Sequence, residues 1–409
     1  MQWHNKRMFA DWVSAALQTN RKYGRYLYHQ FFVETFFKRV VMKIFIDTNI
    51  FFNNWMLRGA HFQLLSNYVL NTDCMLLVSD VVIKETENKF RGELEKTKKD
   101  LNNLASKVGQ FTESNFTIDM SQLPSESYDF GAIVRGYFPN YETISCESVN
   151  NEKLVQKAIL AKRPFRENEK GYRDAVIWHS LINYVSEYSV SDDIILITNN
   201  SSDFFVKNGE SFALHQDLSD DLAELNLSNK FKVYTSLKQF IGENVNEELH
   251  GFVHEDSNGL EERYGEVIEE EFENFAISFM NNLEISQIRE IFSGSGWKTD
   301  YLDIMKSSRF DVWEGMEDPS IYRCFKIEDD KVAFEYSFNL RGCTLEFTLN
   351  TSEYIVNKTG INDVFINAEV YEEITNVFRY PRTYFTGSGV INLTTEEVEQ
   401  IDIDEVWLR

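Results

Sequence analysis

Four acids, Asp47, Glu85, Asp174 and Asp203, stand at the places in this chain where chemistry could be done. Asp47 closes the apolar run Met42-Lys43-Ile44-Phe45-Ile46 and is followed by Thr48 and Asn49. Glu85, in SDVVIKETENKF, lies four and three residues after Val81 and Val82, so on a helix it shares their side. Asp174, in GYRDAVIWHSLINYV, heads a stripe continuing through Ile177, Trp178, Leu181, Ile182 and Val185. In IILITNNSSDFF a buried strand runs into Thr198, Asn199, Asn200 and Asp203. Taken singly, each has a plain reading: Asp47 as a helix N-cap, Glu85 in an i,i+4 pair with Lys89, Asp174 at a helix N-terminus, and the last loop as a turn. Brought together, three or four carboxylates repel strongly, and raised pKa values or bound cations relieve this. Mg2+ or Mn2+, one ion or two, is the natural relief. Such hard cations take oxygen ligands, and a pair about 4 Å apart could drive an in-line phosphodiester displacement. The chemistry implied is nucleolytic. Thr48, Asn49, Thr198 and Asn199 are placed to orient the acids or to bond within ordinary turns.

These acids need a scaffold that delivers strand ends to one place. Strand-like runs at 43–47, 75–79, 194–198 and 231–235, separated by helical patterns, predict a parallel α/β sheet, whose ligands sit at the carboxyl ends of its strands. A polar, turn-rich stretch over 241–262 marks a boundary. The chain therefore divides into residues 1–41, a domain over 42–245, a linker over 246–262 and a smaller α+β domain over 263–409. In the last, a helical stretch near 260–293 precedes hairpin-like strands in VAFEYSFNLRGCTLEFTL and DVFINAEVYEE. Residues 1–41 are aromatic and basic and precede Met42, which reads as a leader or as an amphipathic helix docked on the body.

Charge is uneven: +5 over residues 1–41, −9 over 42–250 and −20 over 251–409, for a net −24. The last third would repel a phosphate backbone. Within residues 151–174, however, Lys153, Lys157, Lys162, Arg163, Arg166, Lys170 and Arg173 outnumber the acids, and Arg163, Arg166, Lys170 and Arg173 lead directly into Asp174. These four are candidates for contacting phosphates, against the alternative of a solvated charged face. The mixed cluster around Lys84, Lys89 and Lys96 reads as such a face. Four scattered cysteines give neither a disulfide framework nor a zinc site and suit a reducing cytoplasm. No apolar run approaches the roughly 20 residues of a membrane span. His61, His179, His215 and His250 form no recognisable dyad and are expected packed or exposed. No GxSxG, Walker-type loop or HExxH is present.

IDTNIFF, VVIKE, AKRPF with GYRDAVIW, and LITNNSSDF together resemble the PIN-domain nucleases, in particular their longer bacterial PIN-like subgroup, over about residues 42–240. The resemblance implies a Rossmann-like sheet, divalent metal, and hydrolysis of RNA to 5′-phosphate and 3′-hydroxyl ends. Asp47, Glu85 and Asp174 match the family's metal-binding acids, and Asp203 the Asp of its strand-end loop. Asn200 stands where many members carry Asp, which leaves less negative charge for a second ion.

Three readings stay open. One is a metal-dependent endoribonuclease acting on tRNA or mRNA, suited to a toxin or antiviral defence effector. The second is an RNA-binding scaffold on a weakened nuclease fold, and the third a PIN-like DNA nuclease whose strand-threading arch would lie in 100–165. The acidic C-terminal domain is expected to receive a protein regulator or to mask the 151–174 segment, and self-association is a further expectation.

Overall fold

The computed structural model describes residues 42–111, 118, 123, 128–166, 170–188, 192–208, 211–228, 230–245, 253–328 and 330–409. The expectations for residues 1–41 and for 246–252, His250 included, lie outside these.

The first half is built on a five-stranded parallel sheet, in the order β3-β2-β1-β4-β7. Its strands are β1 (Met42–Ile46), β2 (Cys74–Ser79), β3 (Tyr141–Ile144), β4 (Asp193–Ile197) and β7 (Phe231–Tyr234). Ile44, Phe45 and Ile46 are wholly buried, as are Leu76, Leu77 and Val78, because helices cover both faces of a parallel sheet. The helices are α1 (Thr48–Phe51), α2 (Ala60–Asn71), α3 (Asp80–Gly109), α4 (Phe130–Tyr137), α5 (Asn151–Ile159), α6 (Tyr172–Tyr188), α7 (Ser201–Phe204), α8 (Gln216–Glu224) and α9 (Leu237–Asn244). A small hairpin, β5 (Phe205–Asn208) and β6 (Ser211–Leu214), follows α7.

The four expected strands form within a residue of their predicted bounds. The fifth, β3, has no sequence forecast: at the sheet edge only Ile144 is buried, so Tyr-Glu-Thr-Ile carries no apolar alternation to read. The connections leave β1 toward β2 and β4 toward β7, in opposite directions. The crevice beyond the β1 and β4 ends is thus the topological switch point, where α/β sheets bind ligands. The described part of 100–165 holds the end of α3, α4, β3 and α5.

The second half is a seven-stranded sheet, antiparallel in every pairing. It comprises β8 (Val253–His254), β9 (Ser307–Glu328), β10 (Lys331–Asn350), β11 (Asn367–Val370), β12 (Ile374–Arg379), β13 (Thr383–Asn392) and β14 (Glu397–Leu408). Helices α10 (Ser257–Asn281), α11 (Ile285–Gly294) and α12 (Thr351–Val364) accompany it, with Phe272 of α10 against Phe334, Tyr336 and Phe338. Two expectations need correction here. The 246–262 stretch is not linker throughout, because Val253–His254 pairs with β9 and α10 begins at Ser257, N-capped by the side chain of Asp256. Within DVFINAEVYEE only Asn367–Val370 is strand, since Asp363 and Val364 close α12.

The two halves meet through polar groups that are mostly buried. Asn54 Nδ2 donates to Asp402 Oδ1 at 2.8 Å, and Lys238 of α9 donates to Thr386 Oγ1 at 3.1 Å and lies 3.4 Å from Asp404 Oδ2. Buried His61 of α2 sits with Nε2 3.8 Å from Glu335 Oε1 and Nδ1 3.6 Å from Asp404 Oδ1. Ala60, Ala333 and Val390 add an apolar contact beside them.

Candidate active site

Asp47 is placed by the end of β1. Its backbone N–H donates to Ile197 O of β4 at 3.0 Å, tying the two strand ends together. Its side chain accepts from the N–H of Thr48 at 2.8 Å, the N-cap that starts α1. The Thr198 hydroxyl donates to the other oxygen at 2.8 Å. The plain reading of Asp47 as an N-cap therefore accounts for one oxygen, and the other is held by Thr198. At 2% exposure, burial pushes its pKa up, against the pull of the Thr198 and Thr48 hydrogen bonds, and Glu85 adds to the rise.

Glu85 is carried by α3, N-capped by the Ser79 hydroxyl. Val82 on its side of the helix is wholly buried. The carboxylate accepts from the Thr48 hydroxyl at 3.0 Å, lies 3.7 Å from Lys89 Nζ, and is bonded by the Arg173 guanidinium. Lys89 also donates to Asn49 Oδ1 at 3.3 Å. The i,i+4 pair thus exists, within a network that reaches the site.

Asp174 stands in the first turn of α6, and Ile177, Trp178, Leu181, Ile182 and Val185 of its stripe are all buried. Burial, then the charges of Asp47, Asp203 and Glu85, push its pKa up to about 7, with Arg173 pulling the other way. Three named acids acting on a fourth place all four in one field. Gly171 makes the approach to α6 possible: its φ is +96°, and a Cβ there would overlap the Pro164 carbonyl. The 163–166 loop is thereby pressed against the helix start.

Asp203, in α7, is buried and is bonded by Arg166, with Arg163 Nη1 at 3.5 Å. Asn200 N–H donates to Thr198 Oγ1 at 3.1 Å, so Thr198 links that loop to Asp47, and Asn199 is exposed. Of the four arginine and lysine candidates, Arg163, Arg166 and Arg173 each pair with a site acid, although Arg173 stays 68% exposed, and Lys170 is exposed. Unneutralised carboxylates attract the nearest guanidiniums, an effect that a count of basic residues along the chain does not reveal. Two more cations of the basic segment pair with acids of α8. Lys157 pairs with Asp221, both buried, and Trp178 Nε1 donates to the same carboxylate at 2.9 Å, locking α5 and α8 onto α6. Lys153 lies 3.1 Å from Glu224. His179, beside this pair, is buried; burial first, then Lys157, push it down to about 4, so it is neutral at pH 7. His215 caps α8, accepting from Asp217 N–H at 3.2 Å.

The donor set of Asp47, Glu85, Asp174 and Asp203 is all oxygen, which suits Mg2+ or Mn2+. Among the described residues no group of three or more His, Cys, Asp or Glu side chains is set to hold a metal ion as it stands. The positive charges at the acids are the guanidiniums of Arg163, Arg166 and Arg173 and the ammonium of Lys89. The chemistry fits a hard cation, and the arrangement needs those arginines to withdraw. Among the described residues, no helix is long and apolar enough to cross a membrane.

Residues 44–204 match the family model of the PIN domain, a nuclease superfamily that is generally metal-dependent, and the match spans all four acids. The five-stranded parallel sheet with its flanking helices is PIN-like. None of the curated proteins and none of the solved structures matches the chain.

Proposed function

We propose that residues 42–245 act as a Mg2+- or Mn2+-dependent endoribonuclease that leaves 5′-phosphate and 3′-hydroxyl ends. The observation that carries this is the setting of Asp174: a largely buried carboxylate raised to about 7, with three other acids contributing to the rise. Four carboxylates drawn to one place repel one another, and divalent ions would relieve this in the places that Lys89, Arg163, Arg166 and Arg173 now take. Asp47, Glu85, Asp174 and Asp203 would hold the ion or ions, with Asn200 offering an amide oxygen. Bound cations would supply water activation and neutralise charge on the reacting phosphate. Thr198 and Thr48 keep Asp47 and Glu85 aimed, leaving them little freedom to turn away. Arg163, Arg166 and Arg173 exchange their carboxylates for substrate phosphates, and Lys170 adds charge at the rim. The acidic C-terminal sheet would receive a protein regulator, and tRNA or mRNA cleavage would suit a toxin or defence role. Self-masking of the basic segment gains no support, since Lys153, Lys157, Arg163, Arg166 and Arg173 all find acids within the nuclease half.

The test is cleavage of tRNA, single-stranded RNA and single-stranded DNA with magnesium or manganese, comparing wild type with Asp174→Asn. RNA cleavage by the wild type alone is the expected result, and preferred cleavage of DNA would move the reading to a DNA nuclease. The arginines seated on Glu85 and Asp203 favour a second reading, a weakly catalytic RNA-binding scaffold. Absence of manganese binding to the wild type would select it.

A further inference from the structure

The C-terminal sheet ends on β11 with its core side unfinished. Strand order there runs β11-β12-β10, and among the described residues β11 pairs with β12 alone. Leu349 of β10, Thr375 of β12 and Val370 of β11 stand in one row across these strands, on the face that carries the core. Leu349 and Thr375 are wholly buried, whereas Val370 is 53% exposed. The neighbouring row of Phe347, Val377 and Ala368 shows the same fall in burial toward the edge. Ile366, whose N–H donates to Phe378 O at 2.9 Å, is 67% exposed. An apolar face that continues past its last strand has room for one strand more.

This edge is held in shape. Helix α12 starts at the turn between β11 and β12, where the Thr351 N–H donates to Glu373 O at 3.1 Å and its hydroxyl to Tyr371 O at 2.9 Å. Pairing with β12 runs from residue 366 to residue 371, with no bulge, proline or lysine to deter a strand from outside. A preformed edge costs an incoming strand little ordering on this side. Its charge is acidic. Glu369 lies on β11, Glu372 and Glu373 lie in the turn, all three are exposed, and among the described residues no Lys or Arg pairs with them. A second copy pairing antiparallel would set this acidic stretch against itself, and each copy carries −24. A strand bearing lysine or arginine meets it with opposite charge.

We propose that β11 is a docking edge for an extended basic segment of a protein partner. The segment pairs its backbone with residues 366–371, covers Ile366 and Val370 with alternate apolar side chains, and sets the basic side chains between them against Glu369, Glu372 and Glu373. Backbone pairing supplies affinity, and the alternation of apolar and basic residues supplies selection. This gives a place and a chemistry to the protein regulator proposed above, rests on that reading only for the partner's being a protein, and needs no nuclease activity.

The experiment titrates full-length protein into a dye-labelled peptide of about ten residues alternating valine with lysine, and into a scrambled peptide of the same composition, followed by anisotropy. The alternating peptide should bind about ten-fold or more tightly than the scrambled one, and amide exchange should slow at residues 366–371 in its complex. Reversing charge in Glu369→Lys with Glu372→Lys should weaken that binding about ten-fold, and Glu369→Asp should retain it. Val370→Ser should weaken it too. Thermal melts of all these variants should match wild type, because the side chains changed are exposed. Equal binding of the two peptides, binding of neither, protection at another segment, or unchanged affinity in the charge-reversed variant would overturn the proposal. So would a dimer of the protein alone, seen by sedimentation and dissolved by Val370→Ser, since a second copy would then own the edge. Cleavage is scored separately with manganese: docking without cleavage would defeat the nuclease reading and leave the edge standing, and cleavage without docking would do the reverse.

Discussion

His61 fixes the second domain to the first through buried charge, and His61→Ala should loosen that junction measurably. The imidazole lies between Glu335 of β10 and Asp404 of β14, with Asp402 of β14 close enough to act on it, and its side chain and those of Glu335 and Asp404 are each 9% exposed. Removing one partner of a buried ion pair costs about 3–5 kcal/mol, because the remaining charge stays buried. Two cations survive the change: Lys238 of α9, 3.4 Å from Asp404, and Arg323 of β9, 3.6 Å from Glu335. The loss should therefore fall near the lower end, about 3 kcal/mol. Burial alone would push the imidazole's pKa down, but the Glu335 and Asp404 carboxylates outweigh it and leave it above its ordinary 6.5. A folded-state pKa raised in this way contributes stability that is complete below 6.5 and is lost as pH rises through the folded value. The gap between wild type and His61→Ala should thus be widest in mild acid and narrow toward alkaline pH. Urea denaturation at a series of pH values, with hydrogen exchange at β10 and β14 to localise the effect, measures both. A gap below about 1 kcal/mol, or one that widens as pH rises, would refute the reasoning.

Thr198→Val leaves buried Asp47 without its hydroxyl donor, and manganese affinity, followed by titration, should fall about 10- to 100-fold with the fold intact. Lys157→Met strands Asp221 in the core, with only Trp178 Nε1 left among the contacts described above, and should cost about 3–5 kcal/mol by chemical denaturation. Gly171→Ala forces a Cβ against the Pro164 carbonyl at positive φ, so it should lower thermal stability by at least about 1–2 kcal/mol and reduce nucleic-acid cleavage together.

What the sequence determined was local. The apolar runs of β1, β2, β4 and β7 and the stripe behind Asp174 were readable because burial imposes a period on the chain, and so were the acids that end or head those segments. Strand β3 had no such period, having only one buried residue, and the junction at 253–262 looked like linker because its polar residues cap and pair rather than pack. Only the tertiary structure decided which charges meet. Arg166 and Asp203 are 37 positions apart, Arg173 and Glu85 are 88, and the residues that clasp His61 come from strands more than 250 positions away. Apart from the i,i+4 pair of Glu85 with Lys89, these attractions act between distant parts of the chain and follow no spacing rule along it. A basic segment could therefore be counted in the sequence, but its engagement with the site acids could not.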